Sequence, residues 1–231
     1  MSRKPVILAL DSSGPVLRVG VRCGEGTWTS RKKGIKQEQF ILPLVQQVLA
    51  KAGAQLSDIK QIFFVRGPGR FTGIRISLTL ASMLQHLNGT KVSSATLFEI
   101  LYQQALQSAV YRRWKTAHET GACAVVLHAF REEYFLQIFD RKAQGPQWLS
   151  KEDLQKQLSA YKEPLYLAGT DKEEGPLEDL TVGWAGKYAF APKKDCLVQM
   201  NTLLQMVENP QYEKDALEPL YLKPARFELG K

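Results

Sequence analysis

The segment from Ile62 to Leu87 constrains the fold more than any other part of the chain. The four apolar residues Ile62–Val65 predict a buried strand, and Gly67-Pro68-Gly69 predicts a sharp turn directly after it. From Thr72 onward the apolar residues continue over a helical length, and the Thr72 hydroxyl can cap the free N–H groups of that helix. The segment therefore predicts a strand, a glycine loop and a helix, an order typical of α/β proteins.

The glycine loop has two interpretations that the sequence leaves open. A helix N-terminus beside a glycine loop, with Arg66, Arg70 and Arg75 nearby, is a plausible anion site. The glycines can equally serve only to fit a tight turn between a strand and a helix, because a short glycine loop alone is weak evidence of binding.

The order of predicted elements repeats along the chain. In the first half, three strands, a helix and a fourth strand come in succession, followed by the helix that begins near Thr72. After residue 110 the pattern restarts with three strands, a helix, another strand and a final helix. The predicted first-half elements are strands 6–10, 17–22, 27–31 and 62–65 with helix 36–52, and the second-half elements are strands 124–127, 134–139, 147–149 and 165–168 with helices 150–158 and 196–208. This order predicts two domains, 1–110 and 111–231.

The loop and the following helix start resemble the signature of a known family. The residues that carry the resemblance are Gly67, Pro68, Gly69, Phe71, Thr72, Gly73, Arg75 and Ile76. Further segments that fit are Ile7–Ser13, Ile41–Pro43, Val92–Ser94 and Pro219–Lys223. Together they are similar to the TsaB (YeaZ) family. The chain departs from the family pattern at Arg70, where Ser is usual, and at Gln37-Glu38, where His-Ser or His-Thr is common.

The resemblance implies a fold, a function and partners. The fold would be two-lobed and actin-like (ASKHA), each lobe a β-β-β-α-β sheet with helices. The function would be that of a non-catalytic subunit that activates a TsaD-like catalytic subunit for threonylcarbamoylation of the tRNA adenosine beside the anticodon. A TsaE-like ATPase would join the assembled complex, and the chain alone would form a homodimer. This chain would hold no cofactor, because the partner subunit would carry metal and nucleotide.

Helices one and two carry more apolar residues than one side of a sheet can cover. Helix one has a single apolar stripe, with Leu42 outside it, whereas helix two is apolar on nearly every side. Either a partner chain covers the second side, or a further layer of the same domain does. In the family these helices form the partner surface, so the resemblance assigns partner binding to Phe40, Ile41, Leu44, Val45, Val48, Arg70, Ile74, Leu78 and Met83.

An enzyme that acts alone is the alternative: a nucleotide-dependent phosphotransferase or a peptidase of the same fold. Asp11 with Ser12–Gly14 could supply a first phosphate loop, but the second expected loop, His128–Glu133, contains no glycine. The sequence also lacks the spacing of catalytic or metal-binding residues that a peptidase would need. The three histidines stand apart, and the spacing of Cys123 and His128 puts them on opposite faces of a strand. We therefore predict neither catalytic nor metal-binding residues.

Positive charge is concentrated in the N-terminal half. The formal net charge is +8, and residues 1–110 carry 14 basic against 5 acidic residues. Such asymmetry favours an anionic partner, either tRNA or an acidic protein surface, although surface lysines can also serve solubility alone. Arg70 is expected to project outward, toward a partner carboxylate or a tRNA phosphate, because an unpaired charge is costly in a core.

The remaining composition points to the cytoplasm. No apolar run approaches the roughly 20 residues of a membrane span, and the start does not resemble a signal peptide. Cys23, Cys123 and Cys196 are far apart and odd in number, which favours neither a disulfide framework nor a thiolate metal site.

Overall fold

A computed structural model describes residues 5–34, 36–141, 144–172, 175–181 and 187–223 of the 231-residue chain. Two compact units are present, and the chain crosses between them three times. The first unit comprises Met1–Leu97 and Gln199–Leu220, and the second comprises Phe98–Val198 and Tyr221–Lys231. In the described ranges, no helix combines the length and the apolar character that crossing a membrane requires.

The first unit is a five-stranded mixed sheet with helices on both faces. Its strands are β1 (Val6–Asp11), β2 (Val16–Cys23), β3 (Gly26–Lys33), β4 (Ile59–Val65) and β5 (Lys91–Ala95), and its helices are α1 (Ile41–Lys51), α2 (Phe71–Asn88) and α6 (Met200–Met206). The sheet order is β3-β2-β1-β4-β5. β1, β2 and β3 pair antiparallel, whereas β1, β4 and β5 pair parallel. Apolar residues of α1 and α2 form one core with the inward side chains of β1, β2 and β4.

The second unit repeats this arrangement with its own core. Its helices are α3 (Leu97–Gln107), α4 (Ala109–Ala117) and α5 (Lys151–Ser159), and its strands are β6 (Ala122–Phe130), β7 (Glu133–Phe139), β8 (Gln147–Ser150), β9 (Leu165–Thr170) and β10 (Tyr188–Phe190). The sheet order, β10-β9-β6-β7-β8, is the first unit's order read from the other edge. The repeated antiparallel meander followed by parallel strands confirms the predicted actin-like α/β class.

The observed units differ from the predicted domains 1–110 and 111–231. The first unit ends at Leu97, and residues 199–220 return to it. The return is made by α6, which packs on β1, β2 and β4. Periodicity predicted a helix in this region, but the strand that such a helix covers is a long-range choice that a local pattern does not contain.

Element bounds also shifted where the local signal was weak. The predicted helix 36–52 is a 3-10 turn, Gln37–Gln39, followed by α1, and the final helix is shorter than predicted. The polar stretch after residue 110 was assigned no structure, yet it forms most of α4. Its single buried residue is Tyr111, so the apolar stripe that a helix prediction needs is almost absent.

Gly20 on β2 lets α6 approach the first sheet. A Cβ added to Gly20 would lie 2.9 Å from the Cβ of Met200, which is closer than real carbon atoms come. We predict that Gly20→Ala lowers the free energy of unfolding by about 1–3 kcal/mol, the usual cost of overpacking. Urea denaturation, followed by circular dichroism, measures this loss of stability. Gly145→Ala is the matched control, because nothing lies within 4 Å of that position; equal stability of the two variants would contradict close packing of α6.

Candidate functional site

The loop between β4 and α2 is held by two segments of the first unit, Ala95–Leu97 and the end of the returning segment. The Arg66 N–H donates to the Ala95 carbonyl (3.0 Å), and the Leu97 N–H donates to the Gly67 carbonyl (2.7 Å). The Leu220 N–H donates to the Arg66 carbonyl (2.8 Å), so the end of the returning segment lies directly on the loop. Gly67 has φ +123°, a conformation that favours glycine, and the Gly67-Pro68 peptide is cis.

Gly69 and Gly73 allow the turn after β1 to touch the start of α2. A Cβ on Gly69 would lie 2.5 Å from the Ser13 carbonyl oxygen, and a Cβ on Gly73 would overlap the Ser12 carbonyl oxygen. The Arg70 N–H donates to the Ser13 carbonyl (2.7 Å), and Ser12 Oγ donates to the Gly73 carbonyl (2.6 Å). The helix start is therefore covered by backbone, which favours the tight-packing interpretation of these glycines over an anion site. Arg70, and not Thr72, is the N-cap residue, and its side chain makes no capping bond.

The Asp11 carboxylate is fully engaged inside the first unit. It is buried, and its Oδ1 accepts from the N–H (3.0 Å) and the Oγ (2.6 Å) of Ser13. Its Oδ2 accepts from the Arg18 guanidinium at 3.0 Å. These contacts fix the turn that covers α2. They give the carboxylate a structural role, because positioning a metal or an attacking water would require breaking them.

The second unit offers little space for a nucleotide beside Gly169, near the end of β9. Gly169 fits against the backbone of Val126, where a Cβ would overlap the Val126 carbonyl oxygen. The cavity next to Gly169 measures about 60 Å³ and is also lined by Thr170, Gly175 and Lys193. Sites for small organic ligands typically enclose about 300–1,000 Å³. This cavity is therefore far too small for a nucleotide.

The groups considered for hydrolysis do not come together. The three histidines lie on different elements: His86 is on α2, His118 follows α4, and His128 is on β6. Within the described ranges, no three His, Cys, Asp or Glu side chains are placed to hold a metal ion. Burial raises the pKa of the Cys123 thiol far above its ordinary value, so it remains protonated and is a poor nucleophile.

An apolar groove runs between α1 and α2 on the surface of the first unit. Its volume is about 480 Å³. It is lined by Ile41, Leu42, Phe71, Thr72, Arg75, Ile76, Thr79, Leu80 and Met83, which together define the α1–α2 groove. Leu42 is 38% exposed, Phe71 51% and Met83 41%, and Leu87 at the end of α2 is 68% exposed. The Arg75 guanidinium lies 3.8 Å from the centre of the Phe71 ring, so a cation borders the apolar centre.

The residues assigned to partner binding separate into two groups. Five lie in the unit's own interior: Ile41, Leu44, Val45, Val48 and Ile74. Phe40 and Leu78 are partly buried against that core. Arg70 and Met83 are exposed, and of the nine assigned residues only Ile41 and Met83 line the groove.

Seven groove residues were not among those assigned to partner binding: Leu42, Phe71, Thr72, Arg75, Ile76, Thr79 and Leu80. A signal for Leu42 was present, because it falls outside the apolar stripe of α1. A stripe identifies the side of a helix that faces its own core, so the apolar residue off the stripe is the one that faces outward. Phe71 was assigned to the motif loop, and its exposure shows that this loop also contributes to the surface.

Sequence comparison relates the region around this groove to known proteins. A family model described as "TsaD: tRNA N6-adenosine threonylcarbamoyltransferase" matches residues 35–107, which include α1, the loop and α2. Proteins named "tRNA threonylcarbamoyladenosine biosynthesis protein TsaB" also match. The protein from Escherichia coli is 38% identical over 80 residues, 34% of either chain. That from Buchnera aphidicola of Schizaphis graminum is 33% identical over 101 residues, 43% of this chain and 48% of the relative. That from Haemophilus influenzae is 24% identical over 234 residues, 94% of this chain and 93% of the relative.

Structural comparison finds a similar fold over nearly the whole chain. The structure titled "YeaZ from Pseudomonas aeruginosa" superposes with a TM-score of 0.69 and 20% identity, covering 94% of this chain and 100% of that one. The chain is therefore similar in sequence to TsaB proteins and similar in fold to YeaZ. Since the matches to the Buchnera and Escherichia coli proteins span about half and about a third of those relatives, the strongest TsaB sequence similarity covers only part of the chain.

The bond between Asp11 and Arg18 gives a test of the structural role of this carboxylate. We predict that Asp11→Asn lowers the free energy of unfolding by about 3–5 kcal/mol, since a buried charge loses its partner. In the double variant with Arg18→Met the loss should be smaller than the sum of the single losses, by about 1–3 kcal/mol. Urea denaturation of all four proteins gives this coupling energy. A coupling near zero would contradict a structural ion pair.

Proposed function

We propose that this chain is a non-catalytic subunit of tRNA threonylcarbamoyladenosine biosynthesis that binds and activates a TsaD-like catalytic subunit. The single observation that carries the proposal is the α1–α2 groove, in a region that matches the family model. We further propose that the chain forms a homodimer through the same groove when that subunit is absent, that a TsaE-like ATPase joins the assembly, and that the complex works in the cytoplasm.

The groove supports protein binding because of its chemistry. Exposed Leu42, Phe71 and Met83 make a contiguous apolar centre, and such patches mark interaction sites on monomeric proteins. Arg75 borders this centre, and exposed Arg70 begins the same helix. Aromatic residues and arginines are also the residue types that carry most binding energy at protein interfaces. A partner that fits would present apolar side chains with carboxylates around them.

The interior of the chain supports the proposal that this subunit is non-catalytic. Asp11 is committed to Ser13 and Arg18, and the cavity beside Gly169 is too small for a nucleotide. We therefore assign metal and nucleotide to the catalytic partner. The alternative, a phosphotransferase or peptidase that acts alone, finds no specific support in the described residues.

Introducing a negative charge into the groove tests the partner surface. We predict that Leu42→Glu and Phe71→Glu each weaken association by about 2–4 kcal/mol, because a charge would be buried between chains. Both positions are exposed, so the variants should stay folded. Analytical ultracentrifugation measures self-association, and a pull-down with the TsaD-like protein of the same organism measures the complex.

Two comparison variants make this result specific. Gln47→Glu adds the same charge at an exposed position of α1 outside the groove and should associate normally. Leu44→Glu should instead unfold the protein, because Leu44 is buried in the core. Normal association of the folded Leu42→Glu and Phe71→Glu variants would contradict the proposal.

Ligand-dependent melting tests the non-catalytic assignment. We predict that millimolar ATP with magnesium raises the melting temperature of the isolated chain by less than about 1 °C, because stabilisation follows RT ln(1 + [L]/Kd) and stays small for weak binding. Phosphate release should remain at background. A shift of many degrees, together with phosphate release above background, would instead support an enzyme that acts alone.

A further inference from the structure

The outward face of β3 carries a row of four polar side chains. Thr27, Thr29, Arg31 and Lys33 occupy alternate positions and all are exposed; we call them the β3 row. Alternate residues of a strand point to the same side, so the four share one face of the sheet. β3 is also an edge strand, since it pairs with β2 alone. The row therefore presents two hydroxyls and two cations along one straight edge.

On the neighbouring strand β2, Arg18 and Arg22 have acidic partners, whereas the described residues supply none for the two cations of the row. Arg31 lies directly opposite Arg18, and Thr27 lies opposite Arg22. Arg18 is neutralised by Asp11, and Arg22 donates to Glu208 at 2.6 Å. Arg31 and Lys33 form no ion pair within the part of the chain that the structure describes. The charge of Arg18 is already balanced by Asp11, so the exposed Arg31 adds net positive charge at this position.

Nearby residues add to the positive potential. Lys32 points to the other side of the sheet, where its Nζ lies 3.7 Å from the centre of the Phe40 ring. Lys36 is exposed just beyond the strand. The first unit, Met1–Leu97 with Gln199–Leu220, carries 15 basic and 8 acidic residues, so its net charge is positive. An anion that approaches β3 would therefore be attracted from a distance.

We propose that the β3 row binds the sugar–phosphate backbone of RNA. Phosphate contacts are made by arginine, lysine and hydroxyl side chains, which are the groups of this row. Along the strand, Arg31 and Lys33 are about 6.8 Å apart, twice the rise per residue, so each can contact a different phosphate of one strand. The row contains no apolar side chain, whereas the α1–α2 groove is apolar. This difference favours a polyanion over a second protein partner at β3.

The identity of the RNA rests on the proposed function, under which it is the tRNA that the complex modifies. The contact itself depends only on the β3 row. It would be sequence-independent, since phosphates carry no sequence information, and it would position tRNA relative to the bound catalytic subunit.

The experiment compares two double variants that remove equal charge. Arg31→Ser/Lys33→Ser removes the cations of the row, and Lys51→Ser/Lys60→Ser removes two exposed lysines of the same unit outside β3. The probe is an unmodified tRNA transcript, titrated against the isolated full chain at several salt concentrations. We expect Arg31→Ser/Lys33→Ser to weaken binding at least tenfold near 0.1 M salt. The slope of log K against log salt should fall by about 1.4–1.8, the loss of two phosphate contacts.

The controls separate the possible outcomes. Equal weakening by both double variants, or no measurable binding by the unmodified chain at low salt, would overturn the proposal. So would stronger row-dependent binding of polyglutamate than of tRNA, which would indicate an acidic protein partner. Melting curves verify that the variants are folded.

A cross-comparison keeps this proposal distinct from the proposed function. Arg31→Ser/Lys33→Ser should still bind the TsaD-like subunit, and Leu42→Glu should still bind tRNA. If Leu42→Glu leaves subunit association intact while the row variant loses tRNA, the proposed partner surface fails and the RNA contact stands. If the row variant binds tRNA normally while Leu42→Glu loses its partner, the RNA contact fails alone.

Discussion

The surface of the first unit depends on how closely α2 approaches the turn after β1. Gly69 and Gly73 place backbone against the carbonyls of Ser13 and Ser12, and two hydrogen bonds hold that contact. The Asp11 carboxylate fixes the same turn from the other side through Ser13 and Arg18. Any side chain larger than hydrogen at Gly73 would push the helix away. This approach sets which residues of α2 enter the core and which remain outside.

The pair α1 and α2 thus places apolar residues in two environments, the core and the surface. Val45, Val48 and Ile74 are buried and contribute to stability, each by roughly 1.5–3 kcal/mol. Leu42, Phe71 and Met83 are exposed, where they contribute little to the stability of the isolated chain and leave apolar surface to be covered. We expect a mutation in the first set to act through folding and, under the proposed function, one in the second set to act through association. Both the stability and the association of each α1 or α2 variant must therefore be measured before a change in association can be interpreted.

Charge follows a similar division between interior and surface. The Arg18 and Arg22 side chains of β2 have acidic partners, whereas the neighbouring cations of β3 face outward without them in the described part of the chain. A stable sheet does not require Arg31 opposite Arg18. A cation on an edge strand can prevent pairing with another chain, and it can bind an anion. The two roles predict different salt dependence, which makes them separable by experiment.

The sequence by itself determined the local elements, the repeated order of strands and helices, and the family motif in the loop. These follow from short-range periodicity and from residues such as Gly67 and Pro68 that act on their own backbone. Only the tertiary structure decided that α6 returns to the first sheet and that Gly20 and Gly73 are required by distant backbone and side chains. The physical reason is that an apolar pattern records how much surface a helix must bury. The neighbour that buries it is set by contacts between residues far apart in the chain.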